Sequence, residues 1–129
     1  FCAGCCDDKE TMATISKTAK EYGYVIDTHT AVAKAVYDKY VAETGDTTKT
    51  VIASTASPFK FNQSVLIALE DHNAVLGKDE FTLLNELSEK SGMEIPKSLA
   101  ELKDKPVAFD LVCDKEQMQN VVSDFLMVE

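Results

Sequence analysis

Val51-Ile52-Ala53-Ser54-Thr55-Ala56-Ser57-Pro58-Phe59-Lys60-Phe61 is the stretch on which the reading of this chain turns. It opens as a short β-branched run, the composition of one buried strand. It then passes abruptly into hydroxyls, a proline and an aromatic-lysine-aromatic segment. In an open α/β sheet, ligands are met outside the carboxyl ends of the strands, where small hydroxylated residues of this kind stand. Ser54, Thr55 and Ser57 are equally the chemistry of turns and helix caps. Both readings stand at this point, and the flanking sequence has to decide between them.

The flanks are helical. Asp7 and Glu10 form a capping box, after which Met12, Ile15, Ala19 and Tyr22 recur as one apolar stripe that Gly23 ends. Tyr24-Val25-Ile26 reads as a short extended link. Asp27-Thr28-His29-Thr30 opens a second helix with Val32, Ala35, Val36 and Tyr40 as its inner face, fraying by Thr44-Gly45. Beyond Pro58 a helix over about 62–70 turns Phe61, Val65, Leu66 and Leu69 to one side. Asp79 caps a further helix carrying Phe81, Leu84 and Leu87, closed by Gly92. Pro96 marks a short helical turn through Leu102. Residues 106–112 alternate as a strand does, with Val107, Phe109 and Leu111 on one face. Asp114 and Gln117 form a second box before a last helix on Met118, Val121, Val122 and Phe125. The expected class is α/β: about six helices around one or two strands, a sheet too small to close a core and expected to be completed by sequence outside this chain.

The 129 residues fit one domain, 1–129, and an apolar fraction of 45% suits a globular core. The formal charge of −9, from 22 acidic against 13 basic residues, argues against a nucleic-acid-binding face. Arginine is absent, so a phosphate would have to be met by lysine, hydroxyls or backbone amides. No stretch has the length and apolarity of a membrane span, and the opening residues lack a charged region followed by an apolar one, so neither a span nor a signal peptide is expected. The chain starts at Phe1, which gives the expectation of a piece of a longer protein. Cys2, Cys5 and Cys6 approach metal spacing, but Cys113 stands alone and no second pair follows, so free thiols and no metal are expected.

Two candidate segments remain. Asp27 is placed to accept helix-end amides, and His29 lies in the first turn, where the helix dipole favours neutral imidazole. Such a histidine serves either as a structural group or as a site residue. His72, behind two acidic residues, reads as a solvated face.

Taken together and in order, Asp27-Thr28-His29-Thr30-Ala31-Val32-Ala33 and Ser54-Thr55-Ala56-Ser57-Pro58-Phe59-Lys60-Phe61 resemble threonine synthase. Tyr22-Gly23-Tyr24-Val25-Ile26 and Ile95-Pro96 before Leu99 and Leu102 fit the same pattern, so the resemblance covers nearly the whole chain. Thr28 departs from it, standing where the family commonly has proline. The resemblance implies a cytoplasmic pyridoxal-phosphate enzyme of the tryptophan-synthase-β fold group (fold type II), converting O-phospho-L-homoserine and water to L-threonine and phosphate. It implies that the lysine carrying the cofactor and the glycine-rich phosphate loop lie in a missing N-terminal portion. This chain is then the helix-rich C-terminal portion, inactive by itself and expected to hold no cofactor alone. Thr55 matches the family's strand-end threonine, whose hydroxyl faces the cofactor's pyridine nitrogen, with Ser54 beside it as a capping or orienting group. His29 and Lys60 fall on the substrate side, Lys60 as a cation for a ligand phosphate. The competing class is a non-catalytic helical domain that binds a protein or an effector.

Overall fold

Three aspartates start the three long helices. The computed structural model describes residues 2–127, and in it Asp7, Asp27 and Asp79 each take an extended backbone and cap the amides that the first helical turn leaves unpaired. Helix α1 runs Asp8–Tyr22, with the Glu10 amide donating to Asp7 at 2.8 Å and the Asp7 amide donating back to the Glu10 carboxylate at 3.3 Å. Helix α2 runs Thr28–Thr44. A 3₁₀ turn at Pro58–Phe61, capped by Ser57, leads into α3, Asn62–Leu69. Helix α4 spans Glu80–Ser91, α5 is the single turn Lys97–Ala100, and α6 covers Met118–Leu126. Helices α1, α2 and α4 end on Gly23, Gly45 and Gly92 at φ between 64° and 68°, a left-handed conformation that a Cβ would strain.

Helices α1 and α3 are the middle of the bundle. Helix α1 packs on both α2 and α3, and α3 packs in turn on α4. Ile15, Val65, Leu66, Leu83 and Leu87 are buried at this junction, joined by Val25 and Ile26 from the extended link between α1 and α2. The small Ala31 and Ala35, with Thr30, are the buried residues of α2. This corrects the inner face expected from periodicity. Val32, Val36 and Tyr40 are only half-buried and turn toward an open groove, because small residues bring α2 onto α1. Tyr22, expected on the α1 stripe, is 67% exposed.

The strands expected at Val51 and over 106–112 are absent: among the described residues there is no strand. Val51 is 92% exposed, and Val107, Phe109 and Leu111 lie in the open. The reason is physical. A strand becomes one only when its amides and carbonyls find a neighbouring strand, and β-branched alternation cannot supply that partner. The apolar stripe of α6 is likewise uncovered, with Met118, Val122 and Phe125 exposed. The described residues are therefore helix-rich, and the β part of the α/β expectation is not found in them.

Candidate functional site

The N-terminus of α2 and the hydroxyl loop meet in space. Asp27 is fully buried, with both carboxylate oxygens engaged. Oδ1 accepts from the His29 amide at 2.8 Å and, more weakly, from the Thr30 amide at 3.4 Å, while Oδ2 accepts from the Thr30 hydroxyl. Thr30 Oγ1 in turn lies 2.9 Å from Ser54 Oγ, a contact that spans 24 residues of sequence. This contact ties the loop after Val51 to the helix.

Burial by itself would push the Asp27 carboxyl up. The hydrogen bond from the Thr30 side chain, then those from the His29 and Thr30 amides and the His29 ring, outweigh burial and hold it below the ordinary aspartate value of 3.8. Asp27 is thus an ionised cap at the positive end of a helix, where a negative charge is favoured.

His29 Nδ1 sits 3.1 Å from Asp27 Oδ1. A carboxylate can only accept, so Nδ1 carries the proton, and in the neutral ring Nε2 holds the free lone pair. The imidazole leans on Phe61 at 4.9 Å between centroids and 56° between planes. Its side chain remains 58% exposed. It also borders an apolar groove of about 520 Å³ along α2, lined by Val32, Val36, Tyr37 and Tyr40 and roofed by Cys2 and Gly4. A Cβ at Gly4 would stand 2.7 Å from Val36 Cγ1, so glycine lets the segment before α1 cross this face closely.

Of the four site residues expected from sequence, three gather here. Ser54 is bonded to Thr30, Thr55 is the next residue on the same exposed loop, and His29 shares Asp27 with Thr30. Lys60 lines a separate cleft, with Phe59, Asn62, Phe81 and Leu99, and forms no ion pair among the described residues. Thr30 is the residue that sequence reasoning passed over. As the third residue of the helix behind an aspartate cap it looks like local chemistry, and nothing nearby in the sequence points to Ser54. Asn62 was also missed: buried, its side chain donates to Glu80 O at 3.3 Å and joins α3 to α4.

Neutral hydroxyls on an accessible loop, one of them anchored, fit the edge of an aromatic nitrogen heterocycle such as pyridoxal phosphate. They do not fit its phosphate, since Gly23, Gly45 and Gly92 serve as helix ends and gather no nest of amides. Among the described residues, no three His, Cys, Asp or Glu side chains cluster as metal ligands. No helix among them is long and apolar enough to cross a membrane.

The described residues thus form a helical unit that presents an anchored hydroxyl loop beside a capped helix. Comparison with known proteins gives this unit a family. Residues 30–122 match the family model described as "Threonine synthase, C-terminal", and the chain belongs to this family. The match begins inside the Asp27–Ala33 segment and takes in the whole of Ser54–Phe61. Among curated proteins, the chain is 42% identical over 69 residues to mouse threonine synthase-like 1 and 39% identical over 70 residues to the human protein of that name. The corresponding protein of Macaca fascicularis is 37% identical over 70 residues. Each of these matches takes in 54% of this chain but only 9% of the relative's length.

Proposed function

We propose that the chain is the C-terminal portion of a pyridoxal-phosphate-dependent lyase that turns O-phospho-L-homoserine and water into L-threonine and phosphate. Residues 1–129 form one domain of it in this reading, with the sheet and the cofactor's main anchors in an N-terminal portion. The observation that carries the reading is the 2.9 Å contact between Thr30 and Ser54, which joins the two segments bearing the family resemblance into one surface.

Pyridoxal phosphate, when bound, supplies the electron sink for chemistry at the substrate's carbons. The chain's own residues orient and move protons around it. The Thr55 hydroxyl would serve the ring nitrogen as an uncharged partner, so that no carboxylate would hold a proton there. Ser54 orients the loop. His29, with Nδ1 held by Asp27, offers Nε2 to a proton on the substrate side. Lys60, which lines a separate cleft, would supply a positive charge for the substrate phosphate.

The test is Thr55→Ala in the whole polypeptide. One hydrogen bond to a cofactor is worth about 0.5–3 kcal/mol, so turnover should fall roughly 3- to 100-fold with an altered cofactor absorption spectrum. Unchanged turnover together with an unchanged spectrum refutes the assignment of Thr55. The exposed apolar residues Val107, Phe109, Leu111 and Phe125 favour a second reading, a non-catalytic domain that docks on another polypeptide. A whole polypeptide that binds no cofactor would select it.

A further inference from the structure

We infer that Asp27, Thr30 and Ser54 form a one-way hydrogen-bond relay that presents Ser54 to the bound ligand as an acceptor only, making Asp27 and Thr30 positioning residues of the site. The inference rests on the proposed function above for what the ligand is, but not for the relay itself.

The direction follows from counting protons. Thr30 is buried and owns a single hydroxyl proton, with two oxygens within reach, Asp27 Oδ2 and Ser54 Oγ. The ionised carboxylate of Asp27 has no proton to give and is itself removed from solvent, so the Thr30 proton goes there. The 2.9 Å contact between Thr30 and Ser54 must then be filled by the Ser54 proton. Ser54 has consumed its one donor on the protein side, and as an exposed residue it has only its lone pairs left to offer a ligand. A hydroxyl in that state accepts from a ligand N–H or ammonium group and cannot donate to a ligand oxygen. A free serine would serve both. Thr55, whose side chain has no such tether, keeps its rotational choice. The two adjacent hydroxyls therefore differ in what they can recognise: one fixed acceptor beside one adaptable donor–acceptor. The division suits a ligand that carries both an amine and a ring nitrogen.

The Asp27 side-chain titration, followed by its carboxyl carbon resonance, reads the relay without cofactor. Thr30→Val keeps shape and deletes the proton; the Asp27 midpoint should rise by about 0.4–1 pH unit, the worth of one hydrogen bond, and Thr30→Ser should restore it. An Asp27 midpoint unmoved by Thr30→Val means that the Thr30 proton points at Ser54, and the relay is overturned. Ser54→Ala, on an exposed side chain, probes the other end without touching the core. The relay leaves the Asp27 midpoint in place, whereas the reverse polarity would free the Thr30 proton for Asp27 and lower it. In the whole polypeptide, Thr30→Val and Ser54→Ala should both perturb the cofactor spectrum, with Thr30→Ser returning it to the parent form. A relay seen in the titration beside a spectrum indifferent to Thr30→Val and Ser54→Ala overturns the positioning role. Indifference to Thr55→Ala as well brings down the proposed function and leaves the proton count standing.

Discussion

Replacing Asp27 with alanine tests the arrangement on which everything at this site depends. The carboxylate is fully buried and is the cap of α2, accepting the His29 and Thr30 amides, the His29 ring and the Thr30 hydroxyl. Loss of an aspartate cap costs about 0.5–2 kcal/mol. The substitution also strands the buried Thr30 hydroxyl, whose remaining neighbour, Ser54, can turn to meet it only in part; an unsatisfied buried polar group costs about 1–3 kcal/mol. Allowing for overlap, Asp27→Ala should destabilise the chain by about 2–4 kcal/mol, a large share of the total for a domain of ordinary stability. At this size each kcal/mol lowers the melting temperature by roughly 3–6 °C, so the fall should be on the order of 6–24 °C at neutral pH. Acid provides the control. The carboxyl is held below 3.8 in the folded state, so its contribution is present above that value and disappears as pH falls through the lower, folded one. The gap between the natural chain and Asp27→Ala should therefore narrow in acid. Asp27→Asn should recover part of the loss, because asparagine also caps. Urea melts followed by circular dichroism measure all three. A gap under about 0.5 kcal/mol at neutral pH, or one that widens in acid, refutes the account of Asp27 as a buried ionised cap.

Leu87→Ala removes a fully buried side chain from the face of α4 and should cost about 2–5 kcal/mol in the same melts. Cys2, Cys5, Cys6 and Cys113 are free and at least partly accessible, so four thiols should react with a thiol reagent. Elemental analysis should find no bound zinc; one zinc per chain, lost on Cys5→Ser, would reverse that. The 129-residue chain mixed with pyridoxal phosphate should show neither stoichiometric micromolar binding nor phosphate release from O-phospho-L-homoserine, since one or two hydroxyl contacts do not offset the entropy of fixing a ligand.

The helix ends were legible because their chemistry is local. Asp7, Asp27 and Asp79 cap as their spacing predicts, Gly23, Gly45 and Gly92 terminate, and the Asp114 amide donates to the Gln117 side chain at 3.1 Å. What failed depended on a partner. Residues 106–112 alternate like a strand, yet alternation states only what a strand would bury, not whether another lies beside it. On α2 the expectation of Ala35 on the inner face held, but Val32, Val36 and Tyr40 were placed there in error and Ala31 was passed over, because small residues pack closely where a search for large apolar ones does not look. At the site, Ser54 and Thr55 stood out as hydroxyls behind a β-branched run and His29 as a histidine in a first helical turn, and the resemblance gave them their expected roles. Thr30 carries no local mark of its role, since the residue it bonds lies 24 positions away.

The described core draws on one unbroken run of sequence, from Ile15 to Leu87, with Met93, Ile95 and Leu99 packed against its edge. Its principal helix contacts are between neighbours or next-but-one neighbours along the chain, so little loop entropy stands in the way of assembly. During synthesis every residue of this core is added before the apolar residues of 107–126. The bundle can be closed, with Ser54 already tethered to Thr30, while residues 107–126 are still emerging. Any covering of those exposed apolar residues then comes late and separately from closure of the bundle.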